Sequence, residues 1–301
     1  MKDRNFEQLY QYIEENYTYE LEKLRKELIR CIIITIIVLL PIVLLMCGIV
    51  CAITQIWELG VFVFIAWAMY AESIWVKYNK RYQIKYKENV IKNFVKIINK
   101  ELNYENINNN KLEKDYREAK FRNNQYNKFE SNDYIYGCID GAVIEISDVV
   151  LKGKSKSDHS ETITYASTFS CSQISKNIPQ EIKILNEDNQ IKMEKNKVEL
   201  DSEEFERSFN VFSDSRILVM QILTHDIMED IVQFYNNCGI DFEIVIKGKK
   251  IYIGYNVGDI FEGKIKKKST NKESLWNCYN TLNFAVNLTL KINKILEEKD
   301  V

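Results

Sequence analysis

The chain has 301 residues, with 41 Lys and Arg against 43 Asp and Glu and a formal net charge of −2. Residues 1–102 are net +3 and residues 103–301 net −5, which argues against general nucleic-acid binding, because that relies on neutralising phosphates. Seven cysteines without a CxxC spacing and only two histidines argue against a metal centre or a disulfide framework, so free thiols and no cofactor are expected.

In chain order, Phe6, Tyr10, Ile13, Tyr17, Leu21, Leu24 and Leu28 recur at steps of three and four, the stripe of an amphipathic helix. The stripe runs without a breaker into a charge-free stretch from Cys31 to Trp57. A second apolar run, Leu59 to Val76, is broken only by Glu72. A helix of about 20 residues crosses the roughly 30 Å hydrocarbon core, so spans are expected at about 31–54 and 59–76. Inside lipid every backbone group must be satisfied within the segment, which requires helices. Lys23, Arg25, Lys26 and Arg30 precede the pair, Lys77, Lys80, Arg81, Lys85 and Lys87 follow it, and the link between the spans has no Lys or Arg. This distribution predicts a plasma (inner) membrane hairpin with both termini cytoplasmic.

A signal peptide fits poorly, since its charged region would be about 30 residues long. Met46 and Val50, rather than small residues, precede Cys47 and Cys51, so a lipoprotein cleavage site fits no better. Pro41 removes a helical donor and predicts a kink. Glu72 is expected to reach the headgroups, with an intramembrane proton or ion site as the functional alternative.

Ile84, Ile91, Phe94, Ile98 and Leu102 form a second stripe beyond the hairpin. The two stripes predict a cytoplasmic helical stalk about 37 Å long, with self-association as a coiled coil the rival use. Residues 1–102 are thus read as one part. The asparagine-rich Asn103 to Asn110 reads as a linker and Lys111 to Phe121 as a short helix, so residues 103–125 connect to a cytoplasmic domain at 126–301.

In that domain Tyr134, Tyr136 and Cys138 alternate with polar or small residues, and Ala142 to Ile146 follows across a hairpin signal at Asp140-Gly141. Thr162 to Phe169, Glu181 to Leu185 and Gln190 to Leu200 are further strands, and Gly153 to Glu161 a polar loop. Asp201-Ser-Glu-Glu204 carries a capping-box pattern opening a helix that brings Phe205 and Phe209 to the core. Thr224 is expected to cap a helix whose face is Ile227, Met228, Ile231, Val232 and Tyr235, ending at Cys238-Gly239. Phe242 to Ile246 and Lys250 to Tyr255 read as a hairpin turning at Gly248, and Ser274 to Leu296 as a terminal helix. Without a regular βαβ rhythm the class is α+β: a transmembrane helical hairpin and stalk, then a mixed, mainly antiparallel sheet with packed helices.

Three blocks resemble a bacterial family of two-span membrane proteins whose cytoplasmic domain has no assigned function. They are Asp133-Tyr-Ile-Tyr-Gly137 with Asp140-Gly141-Ala-Val-Ile-Glu145; Phe205-Glu-Arg-Ser-Phe209-Asn-Val-Phe-Ser213-Asp214 running into Ile222-Leu-Thr-His-Asp-Ile-Met228-Glu229; and Lys250-Ile-Tyr-Ile-Gly254 with Asp259-Ile-Phe261-Glu262. The resemblance spans about residues 130–263. The chain departs from the pattern at Tyr165 to Cys171, which lacks a glycine, and at Leu218-Val219-Met220. The resemblance implies topology and fold, no reaction, and a LemA-type membrane protein as a partner.

The sequence has no P-loop, dinucleotide turn, GxSxG elbow or HExxH. Glu203-Glu204 and Glu229-Asp230 lie near helix starts, where the dipole accounts for them. His159 falls in a polar loop and His225 at a helix start, both ordinary places for an exposed residue. No catalytic, cofactor or metal residue is assigned. Ser213 and Asp214 have two readings, a helix cap or an interaction site. Lys264, Lys266, Lys267 and Lys268, with Lys152, Lys154 and Lys156, read as a solvated loop or as a contact with anionic lipid, each base near the surface contributing about 1 kcal/mol. The expected function is a membrane-anchored cytoplasmic binding or scaffold module with the bilayer, a protein partner or a second copy as partners. A membrane-tethered enzyme and a subunit of an oligomeric transporter are the alternatives.

Overall fold

The computed structural model describes residues 4–107, 110–121, 126–154, 161–187 and 196–298. It is an α+β protein of long N-terminal helices followed by an antiparallel seven-stranded sheet with packed helices. The chain divides into two compact units, Met1–Ile91 with Glu262–Lys272, and Lys92–Phe261 with Glu273–Val301.

The first unit contains α1 (Arg4–Ile33), a π-helical segment (Ile34–Leu39), α2 (Leu40–Thr54), α3 (Trp57–Tyr86) and a second π-helical segment (Lys87–Ile91). Helical backbone runs unbroken from Arg4 to Thr54 and from Trp57 to Ile98, the second run ending in α4 (Lys92–Ile98), and each rod holds a stretch long and apolar enough to cross a membrane. Gln55, in the left-handed region at φ 56°, ends α2 and turns the chain. A π-helical segment, Ile34–Leu39, stands just before Pro41. The proline ring crowds the carbonyl one turn earlier, and widening the helix there relieves the clash. Thr35 Oγ1 also bonds back to the Cys31 carbonyl at 2.9 Å. Gly60 is where α3 meets α2, since a Cβ there would come within 2.6 Å of Cys51 Sγ. Below the apolar stretch Leu24, Leu28 and Tyr82 form a closed layer with Ile32, Tyr78 and Ile265.

The segment Glu262–Lys272 of this unit contains the tract Lys264–Lys268, read from sequence as a solvated loop or a contact with anionic lipid. The segment is a strap bonded along α1 and α3. Gln83 exchanges two hydrogen bonds with the Gly263 backbone, donating at 3.0 Å and accepting at 2.8 Å. Arg25, held by two nitrogens on Glu22, donates to the Ile265 carbonyl at 2.9 Å, and Glu22 accepts the Ser269 N–H at 2.6 Å. Gly263 must be glycine because a Cβ would lie 2.7–2.9 Å from the Tyr82 ring and hydroxyl.

The sheet of the second unit runs β1 (Asn103–Glu105), β2 (Lys128–Ile139), β3 (Ala142–Lys154), β4 (Glu161–Asn186), β6 (Phe209–Ser213), β5 (Lys197–Val198), with β7 (Phe242–Tyr255) on the other side of β4. Asp140 and Gly141, at φ 46° and 77°, make the predicted two-residue turn, with Ile139 opposite Ala142. Four expectations change. The linker at Asn103 begins with a strand, because β1 pairs Tyr104 with Ile135. Thr162–Phe169 and Glu181–Leu185 belong to one strand, β4. Pro179, which has no N–H to offer, falls where the register to β7 shifts between Ile178 and Ile182. The hairpin at Gly248 is a bulge within one strand: both halves of β7 pair the same partner, β4, with Gly248 opposite Ile178 at φ 59°. Finally Phe209 lies on β6, since the helix α6 (Glu203–Glu206) is a single turn capped by Ser202. The Gln190 to Leu200 strand lies mostly outside the described residues, apart from Lys197–Val198.

Both faces of the sheet are largely covered. On one, α5 (Glu113–Ala119) packs Tyr116 against Phe129, Phe169 and Phe121, at ring separations of 5.2–5.6 Å. On the other, α9 (Lys272–Glu298) covers Thr168, Ser170 and Ser172, small side chains that admit the helix closely; Thr289 bonds Ser172 at 2.9 Å. Phe234 of α8 (His225–Cys238) stacks on Phe284 of α9 at 4.3 Å. A larger residue at Gly263 should expel the strap from Tyr82. We expect Gly263→Val to cost about 1–3 kcal/mol and to raise hydrogen exchange at residues 262–272 in the full-length protein, whereas unchanged protection would contradict the close packing.

Candidate functional site

The structure scatters the residues singled out from the sequence. Ser213 ends β6, and its Oγ bonds the Glu181 carbonyl at 2.8 Å. Asp214 accepts from the Asn196 amide, and the cap of α7 (Arg216–Ile222) is the next residue, Ser215, whose Oγ accepts the Leu218 N–H at 3.3 Å. Ser213 and Asp214 line an open groove of about 450 Å³ with Asn196, Lys197, Glu199 and Arg216. Beside it α7 exposes two apolar side chains, Ile217 at 72% and Met220 at 40%.

The lysine tract is elsewhere, on the strap. Lys268 pairs with Glu14 at 2.7 Å, while Lys264 and Lys267 have partners of their own. Lys266 is exposed. Lys152 pairs with Glu130 at 2.7 Å. Lys156 and His159 lie outside the described residues. Thr224 stands at the start of α8, but its hydroxyl makes no capping bond, and His225 follows it exposed. Cys171 and Cys278 are buried, and burial pushes both thiols up, away from the reactive thiolate.

One cluster escaped the sequence reading. Asp148 of β3 and Asp133 of β2 are both buried, at 1% and 0% exposure. Asp133 sits in the left-handed region, φ 58°, at the β2 register shift, and accepts the Tyr104 hydroxyl at 2.5 Å. Asp148 Oδ1 accepts from Thr168 at 2.6 Å, while Oδ2 has no hydrogen-bond partner. Burial holds the Asp148 carboxyl well above the ordinary range, against the pull of the Thr168 bond, with Asp133 and Asp259 adding repulsion. The pair was missed because its members are fifteen residues apart in strands read only for their apolar alternation. It is enclosed, so its role is structural: through the Thr168 bond it ties β3 to β4.

Residues 163–294 match a family described as a protein of unknown function, DUF3137. The match covers the second and third blocks of the sequence resemblance and leaves the first, at 133–145, outside it. No curated protein matches the chain. Among solved structures, a similar one is the mycobacterial trehalose monomycolate transport factor A, TtfA, at 10% identity and a TM-score of 0.40, covering 68% of this chain and 91% of that one. A likeness this distant transfers no role.

Two pH dependences follow from the geometry. Burial pushes the Glu22 carboxyl up, but the bonds from Arg25 and the Ser269 N–H outweigh it and hold it below the usual value. A depressed acid stabilises above its unfolded value and the contribution is lost as pH falls through the folded one. Exchange protection of the strap should therefore drop below about pH 4.3, and Glu22→Gln should show the loss at neutral pH. Asp148 has the opposite sign. A raised acid stabilises fully below its unfolded value, about 3.9, and the contribution disappears as pH rises through the folded value. In full-length detergent-solubilised protein, Asp148→Asn should flatten the decline in Tm with rising pH. An unaltered slope would place a charged carboxylate in the core.

Proposed function

We propose that this chain is a membrane-anchored scaffold or binding module: the helical hairpin holds it in the bilayer, and the α+β unit, in the cytoplasm, engages a protein partner or a second copy. One observation carries the reading. The apolar side chains of the hairpin have no protein cover: Ile37, Leu45, Phe62 and Met69 are 64–67% exposed. A water-soluble monomer rarely leaves a contiguous apolar surface larger than a few hundred Å², whereas a bilayer supplies the missing partner. Basic residues at both outer ends of the hairpin favour cytoplasmic termini. For the partner-facing side, Ile217 and Met220 beside the Ser213–Asp214 groove are the exposed apolar pair to test, and the strap fixes how the lysine tract is presented.

Alkaline carbonate extraction tests the anchor, and crosslinking of the full-length protein in its native cells tests the partner. We expect the chain to stay in the membrane pellet and to crosslink a stoichiometric partner, a LemA-type protein or another copy being two of the outcomes. Ile217→Asp with Met220→Asp should lower that crosslink while Tm stays unchanged. Release by carbonate would refute the anchor, and a crosslink indifferent to the double substitution would move the partner surface off α7.

A further inference from the structure

The two apolar rods touch at one end and again at the other, and they leave a gap between. At the turn they close on Gly60 against Cys47 and Cys51, with Cys47 Sγ 3.2 Å from the Gly60 carbonyl. Toward the chain termini they close again in the Leu24–Leu28–Tyr82 layer. Between these two points lies a crevice of about 490 Å³. Its position coincides with the π-helical segment Ile34–Leu39. The same widening that accommodates Pro41 thus prevents close ridge-in-groove packing at this level.

The lining is graded. Ile34, Leu39 and Ile74 form its apolar wall, with Tyr70 beside them. Arg30 and Lys77 stand at its mouth, one on each rod, and neither makes an ion pair among the described residues. The acid at the mouth, Glu27, lies 3.7 Å from Arg81, so its charge is offset and the rim is net positive. Glu72 is not part of the lining.

We propose that this crevice binds one anionic phospholipid of the inner leaflet, with the headgroup phosphate between Arg30 and Lys77 and an acyl chain along Ile34, Leu39 and Ile74. The inference rests on the membrane-anchored reading, which places the basic mouth at the cytoplasmic surface. An arginine fork and a lysine from opposite helices match a phosphate, and basic pockets between spans on the cytoplasmic side are where acidic headgroups bind. The apolar wall separates this site from a surface lysine cluster, which would attract charge without retaining a chain.

The test is lipid retention by the full-length protein in nanodiscs of phosphatidylcholine with phosphatidylglycerol, read by native mass spectrometry. The wild type should keep one phosphatidylglycerol in preference to phosphatidylcholine. Arg30→Gln with Lys77→Gln should retain it roughly thirtyfold less, each basic contact being worth about fivefold. Lys23→Gln with Lys80→Gln removes the same charge from exposed positions outside the crevice and should keep the lipid. No preference in the wild type, or equal loss in both double variants, overturns the site. A chain that fails to enter nanodiscs at all overturns the membrane-anchored reading itself, a separate outcome.

Discussion

Exposed apolar surface on two adjoining helices is the constraint from which the rest follows. Water penalises each such residue by about 25 cal/mol for every Å² left uncovered. Ile53, 78% exposed, and the outward-facing apolar residues of α2 and α3, among them Leu45 and Phe62, lie uncovered among the described residues. Folding of the chain therefore leaves one surface unfinished. In the second unit the sheet is largely covered: α5 fills one face with aromatic rings, and α9 lies over small polar side chains on the other, while Ile217 and Met220 of α7 stay exposed.

The strap solves a second problem, how the segment Glu262–Lys272, which leads from β7 into the first residue of α9, becomes part of the helical unit. It combines hydrogen bonds from polar side chains to its backbone with the packing of Ile265 on the Leu24–Leu28–Tyr82 layer. Glu22 illustrates the balance. Its burial would be costly alone, but a two-point Arg25 contact and the Ser269 N–H satisfy the carboxylate. Glu7, Glu14 and Glu262 then pair with Lys272, Lys268 and Lys87 along the same path. The Glu7–Lys272 and Glu14–Lys268 pairs are more exposed and each adds at most about 1 kcal/mol, whereas Lys87 is buried. Register of the strap is set by the inner contacts.

Local signals made the helices legible. The charge-free run beginning at Cys31, the Ile227–Ile231 face of α8 and the Asp140-Gly141 turn each carry their pattern within a few residues. What failed was decided at long range. A glycine between two alternating segments means a turn or a bulge, and only the pairing of both halves of β7 with β4 settles which. The polar residues Thr168, Ser170 and Ser172 are buried because α9 arrives from more than a hundred residues away, Thr289 bonding Ser172. Of the candidate residues, Ser213 and Asp214 do share a groove. The lysine tract could not be recognised as a strap from sequence, since Glu22 and Ser269 are 247 residues apart.

The most direct measurement of the central claim is labelling with a membrane-impermeant maleimide in intact cells. Gln55→Cys places a thiol at the turn between the rods, and Cys138 is an exposed native thiol on the sheet unit. An anchored hairpin with its larger unit in the cytoplasm predicts that Gln55→Cys adds label in intact cells, and that Cys138 reacts only after permeabilisation. Labelling of Cys138 from outside would contradict the account.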